Sequence, residues 1–166
     1  LGWLDDELTN LLAAARYAIE RGGPEQGLHL SAILHRHLRS RGRYHDTEAL
    51  HHQALITARA TGRRSSELDA LTGLGHIHWR QGRHARAAEH FQEALRIARL
   101  IGHRAGEMEA LTGLGRLHWL QGRPSRAAGH FERALRIARA TGHRLGELNA
   151  LTGLGQTHRL QGRHER

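Results

Sequence analysis

The sequence predicts an all-α fold, a right-handed superhelix of antiparallel helix pairs. Three observations carry that expectation: a stretch of chain returns at a fixed period, apolar residues recur at helical spacing inside each copy, and glycines punctuate the copies at matching places. Residues 68–99 reappear forty residues later as 108–139 with 22 of 32 positions identical. A third copy opens at Leu148 and reaches Arg166 before its second half. A fainter one spans about 28–59, where Gly42, Ala54, Leu55 and Ala58 stand forty residues ahead of Gly82, Ala94, Leu95 and Ala98. A period of this length means stacked supersecondary units that bury their apolar faces on one another.

The elements follow in order. Residues 1–23 are expected to form an N-terminal helix and linker, 24–62 a degenerate helix pair, 63–102 and 103–142 two complete pairs, and 143–166 the first helix of an incomplete pair. Within the first complete unit, Ala70, Leu71, Leu74, Ile77 and His78 fall at spacings of three and four. Ala87, Ala88, Phe91, Ala94, Leu95 and Ala98 make a second stripe on the same rule. Gly82-Arg83 separates the two helices, and Gly102-His103 and Gly142-His143 end the second helices, where glycine can take the left-handed C-terminal cap. Pro124 belongs in a first turn, where its missing N–H costs nothing. Gly75, Gly115 and Gly155, with Ala87 and Ala127, would let paired helices approach closely, which offsets about 1 kcal/mol of helix propensity per glycine. The last helix, about 147–161, has no second helix to cover it, so Leu151 and Leu154 are expected to be exposed and to promote self-association or fraying.

Composition narrows the function classes. Only 4% of the 166 residues are aromatic, there is no Cys, and mean hydropathy is −0.60, which excludes a disulfide framework, a thiolate metal site and a cysteine nucleophile. No run approaches the length of a membrane span and the first ten residues lack a signal-peptide pattern, so no membrane contact and a cytoplasmic location are expected. The chain opens at Leu1 rather than Met, which suggests a piece of something longer. All 25 basic residues are Arg against 16 acidic ones, and the net charge of +9 favours acidic proteins, nucleic acid or anionic surfaces.

Chemistry was sought at three kinds of site. The T-G-L-G runs are not phosphate loops, because no strand precedes them and no Lys follows. None of the sixteen His pairs with another at i,i+3 or i,i+4, so a metal site would have to be assembled between helices, for example from His78, His118 and His158 or from His90 and His130. Packing and hydrogen bonding at helix contacts explain these imidazoles more simply, and neither a metal nor a cofactor is expected. Half-buried His could still make the array pH-sensitive. No nucleophile elbow, paired-carboxylate cleft or activated-water site is present in the sequence, so no enzymatic activity is expected.

The motif L-x-x-L-G-x-x-H-x-x-x-G-x-x-x-x-A-x-x-x-F-x-x-A-L resembles the tetratricopeptide repeat (TPR). It stands here as Leu71, Leu74, Gly75, His78, Gly82, Ala87, Phe91, Ala94 and Leu95, and again forty residues on from Leu111 to Leu135. His replaces the usual Tyr, and Arg99 and Arg139 stand where a Pro often ends the second helix, as in forty-residue TPR varieties. Residues 1–60, with Trp3-Leu4-Asp5 and Asn10-Leu11-Leu12, more loosely resemble the junction into the C-terminal TPR array of actinobacterial antibiotic-regulatory (SARP, NB-ARC-containing) transcription factors. That resemblance implies a protein-protein interaction and autoregulatory sensor module of a bacterial transcriptional regulator. Its partner would be the protein's own upstream domains or an acidic partner surface.

In such an array the first helices line a concave groove. The face opposite the apolar stripe carries Asp69, Thr72, His76, Trp79 and Arg80, then Glu109, Thr112, Arg116 and Trp119, then Gln156 and Arg159, with Arg36 and Arg39 added by the degenerate unit. The resemblance makes these the partner-binding positions of a basic groove. Trp79 and Trp119 read either as interaction hot spots or as fillers between units. The Asn that clamps peptide backbone in many TPRs would fall at Gly73, Gly113 and Gly153, so capture by that device is not implied. Nucleic-acid binding through the Arg-rich surface is the alternative, less favoured because Arg is spread over both helices of each unit, and small-molecule sensing in the groove is a third.

Overall fold

A computed structural model describes residues 7–18 and 44–164. The degenerate unit's first half, with Arg36 and Arg39, lies outside the described residues. The described residues form seven helices: α1 (Leu8–Tyr17), α2 (Tyr44–Ala60), α3 (Arg64–Arg80), α4 (His84–Leu100), α5 (Arg104–Leu120), α6 (Pro124–Thr141) and α7 (Arg144–His164). Each helix from α2 onward packs on the next, and α3 also touches α5 as α5 touches α7, so the chain is an all-α helical-repeat solenoid.

The turns explain the regularity. Gly62, Gly82, Gly102, Gly122 and Gly142 all hold φ between 66° and 72°, a conformation only glycine adopts without strain. At the α3–α4 turn Gly82 N–H donates to Trp79 C=O at 3.1 Å and Arg83 N–H to His78 C=O at 2.8 Å, the paired bonds that close a Schellman cap. Pro124 occupies the first turn of α6 as expected. The structure adds two caps that the sequence reading passed over: Nδ1 of His103 and of His143 accepts from the N–H of Gly106 and Gly146 at 3.0 and 2.9 Å.

The two helices of a unit differ in how they are buried. In α4 and α6 one apolar stripe faces the core, led by Ala87, Phe91, Ala94 and Ala98, then by Ala127, Phe131, Ala134 and Ala138. Helices α3 and α5 are enclosed by neighbours on several sides, so even Thr72, Gly73, Thr112 and Gly113 are buried. Phe91 is the wedge of this packing: a Cβ at Gly75 in its own unit or at Gly113 in the next would stand 2.7 Å from its ring. Phe131 sits in the same way between Gly115 and Gly153, and buried His51 takes the equivalent place against Gly73. Gly73, Gly113 and Gly153, read from sequence only as missing Asn clamps, therefore make room for the aromatic ring of the preceding unit.

An ionic ladder repeats with the same period. Arg59, Arg99 and Arg139 at the ends of second helices reach Glu67, Glu107 and Glu147 at the starts of the next first helices, at 3.0, 3.0 and 2.9 Å. Arg99 and Arg139 thus continue the helix and tie it to its successor. The second helices contribute as well, because Glu93 on α4 holds Arg59 at 2.7 Å.

Helix α7 departs from expectation. It spans Arg144–His164 rather than 147–161, and runs through Gly162, which matches the turn glycines Gly82 and Gly122 in sequence. The turn forms where a following helix packs back, and α7 has none among the described residues. Its outer face leaves Leu145, Leu148 and Leu151 exposed, while Leu154 is half-buried. No described helix is long and apolar enough to cross a membrane.

Candidate functional site

The first helices α3, α5 and α7 form one wall, and a cleft of about 500 Å³ opens along it. Helix α3 supplies His76 and Arg80; α5 supplies Ala105, Met108, Glu109, Thr112 and Arg116; the start of α7 supplies Leu145, Gly146 and Asn149 beside His143. Five of the positions read from sequence, His76, Arg80, Glu109, Thr112 and Arg116, thus share one cavity. Met108, Leu145 and His143 were missed, since they lie near helix starts where a count along the stripe had not begun.

Charge in the cleft is unevenly balanced. His76 Nε2 lies 3.0 Å from Glu109 Oε1, linking α3 to α5, and its ring meets Phe91 edge-on at 5.1 Å. Burial draws the Arg116 guanidinium below its ordinary pKa, with Glu109 opposing that shift and Arg80 adding to it. A partly desolvated cation beside another cation gains when a carboxylate arrives. At the edge, burial raises the Asp69 carboxyl above the usual range, His103 opposes this and Glu109 reinforces it.

Burial and existing contacts limit what several of the positions read from sequence can offer a ligand. Thr72 and Thr112 are buried, and Thr112 Oγ1 donates to the Met108 carbonyl of its own helix at 2.8 Å, so its hydroxyl is already engaged. Trp79 is half-buried against the core, and the guanidinium of Arg116 from the next unit lies 5.9 Å from its ring centroid, with Arg80 at 6.0 Å. Trp119 is also half-buried, and neither indole N–H finds an acceptor. Trp79 thus packs against the core as well as against Arg116 of the next unit. Gln156 and Arg159 are exposed on α7 and do not line the cleft.

The histidines pair within units, not along the array as the suggested ladder required. His78 stacks on His90 at 5.1 Å with 12° between rings, and His118 on His130 at 5.2 Å and 7°. Burial lowers all four below the ordinary imidazole value, so the stacked pairs favour the neutral form. The count of imidazole spacings also passed over a mixed pair: Glu48 and His52 stand at i,i+4 on α2, with His78 alongside.

Comparison with known proteins accords with this architecture. Among curated proteins, none matches the chain in sequence. The family described as Tetratricopeptide repeat matches it over residues 28–100, 66–140 and 107–166. These stretches take in every helix from α2 to α7, and the repeats support a protein-protein interaction module of a kind that is typically a non-catalytic scaffold. With period, turn glycines and wedge aromatics all agreeing, the chain belongs to the tetratricopeptide repeat family.

Proposed function

We propose that the α3–α5–α7 cleft binds an acidic segment of a protein, and that the module acts as the autoregulatory sensor of a bacterial transcriptional regulator whose other domains supply that segment. The observation that carries the reading is the nearness of Arg116 to Arg80 in a cleft whose lining also includes apolar Met108 and Leu145. An acidic side chain would pair with these cations while an apolar neighbour packed beside Met108 and Leu145. Regulation then amounts to differential binding: the segment is held in one state of the regulator and released in the other.

The test is calorimetric titration with acidic and charge-reversed peptides containing one large apolar residue. Arg116→Ala should weaken binding of the acidic peptide by about tenfold or more, the scale of one desolvated charge pair, while Arg136→Ala on the exposed face of α6 should leave it unchanged. Equal affinity for both peptides would defeat the reading. Direct nucleic-acid binding is less favoured, because Arg59, Arg64, Arg83, Arg99, Arg104 and Arg139 are each within ion-pair distance of a glutamate. We also propose self-association through the exposed leucines of α7.

A further inference from the structure

The junction of α2 with α3 carries a cluster that lies apart from the cleft. Glu48 and His52 lie one turn apart on α2, His78 faces them from α3, and the ligand atoms of all three fall within 4.8 Å of one another. We propose that Glu48, His52 and His78 bind a divalent transition-metal ion of the zinc type. Two imidazoles and a carboxylate match the donor preferences of such ions, and three protein ligands leave a position for water or a fourth donor. His90 is the adjacent nitrogen, its ring 6.4 Å from that of His52.

Burial divides the roles. His78 is fully buried and fixed, with Nδ1 3.9 Å from Glu48 Oε1, whereas His52 is exposed and gives an ion access. Metal–ligand distances of about 2.0–2.2 Å require the three side chains to close by roughly an ångström, which the exposed His52 can do by rotation. Gln81 Nε2 donates to Glu48 Oε2 at 3.1 Å and would orient the carboxylate from outside. Arg83, which donates to Glu48 Oε1 at 3.0 Å, would yield its place to the ion and swing into solvent, where it is already half exposed.

The next junction serves as an internal control. His118 and His130 stack there as His78 and His90 do, but the positions forty residues after Glu48 and His52 hold Ala88 and Gln92. The stacked pair therefore belongs to the repeat, and the ligand set is an addition confined to one junction. It is independent of the cleft, which lies on other residues.

The full chain, stripped of metal with EDTA, is titrated with Zn²⁺ by calorimetry and with Co²⁺ by visible absorption. One equivalent should bind with the intense d–d bands of a low-symmetry site. His52→Ala and Glu48→Gln, both outside the core, should each weaken that event by about tenfold or more while leaving helicity unchanged, and His130→Ala should not alter it. Unchanged affinity in His52→Ala, loss in His130→Ala, or no binding by the parent chain overturns the proposal.

Discussion

The sharpest expectation concerns three glycines that sequence alone makes equivalent. Gly75, Gly115 and Gly155 occupy the same place in L-T-G-L-G, each inside a helix, and replacing any of them by Ala should add about 1 kcal/mol of helix stability if nothing else intervened. Packing makes them unequal. A Cβ at Gly75 would lie 2.7 Å from Phe91 Cε1, and one at Gly115 2.8 Å from Phe131 Cε1, well inside the roughly 3.5–4.0 Å optimum for carbon contacts. Phe91 cannot retreat, since a Cβ at Gly113 would stand 2.7 Å from its opposite edge, and Phe131 is confined in turn by Gly153, where a Cβ would stand 2.5 Å from its Cε1. Overpacking of this kind costs about 1–3 kcal/mol, so Gly75→Ala and Gly115→Ala should be destabilising by about 0–2 kcal/mol. Gly155 has nothing within 4 Å, so Gly155→Ala should be stabilising by about 1 kcal/mol, as should Gly129→Ala on open α6. Thermal melts followed by far-UV circular dichroism resolve this, at roughly 2–4 °C per kcal/mol for a chain of this size. If Gly75→Ala and Gly155→Ala move the midpoint the same way by the same amount, the wedge account of Phe91 is refuted.

Two further outcomes are expected. Burial lowers His118 and His130, with Arg126 and Arg123 also acting on the first and His118 and Arg99 on the second, while Gln121 opposes the shift of His118. The folded state therefore binds fewer protons than the unfolded one, so stability should be full above about pH 6.5 and fall as pH drops below it, and melts at pH 7.5 and 5.5 that coincide would contradict this. With Leu145, Leu148 and Leu151 exposed 64, 60 and 43%, sedimentation should show concentration-dependent association that Leu148→Glu with Leu151→Glu abolishes; an unaltered association constant in the variant would remove α7 as the interface.

How far these features could be read from sequence depended on whether they were local or shared between units. The stripe through Leu71, Leu74 and His78 and the turns at Gly82, Gly102 and Gly142 are encoded within a few residues, and the period multiplied each signal. The burial of Thr72 and Thr112 was not legible, because a count along one helix does not know that α3 and α5 are enclosed by neighbours. The same holds for Gly113 and Gly153, whose reason is a ring on the preceding unit's second helix, Phe91 and Phe131. Gly162 shows the converse: the turn signal that Gly82 and Gly122 obey is passed over in α7, which has no following helix among the described residues. Glu48 and His52 were legible at i,i+4, and were missed only because imidazole pairs alone were counted.

The net charge of +9 is a poor guide to where a partner docks, because the guanidiniums do two separate jobs. Arg59, Arg99 and Arg139 recur with the period and are paired with glutamates that recur with it, so they belong to the scaffold. Other positions change from unit to unit instead: Asp69, Glu109 and Asn149; His76, Arg116 and Gln156; Arg80, Leu120 and Leu160, of which His76, Arg80, Glu109, Arg116 and Asn149 line the cleft. A repeat that holds its packing residues constant can vary such positions at little cost in stability where they face the cleft or solvent, as Arg80, Glu109 and Arg116 do, whereas His76 also meets the wedge ring of Phe91. On the proposed reading, binding specificity would change at Arg80, Glu109 and Arg116 while the solenoid stays intact, and the segment that fits would be acidic opposite Arg116 and apolar beside Met108 and Leu145.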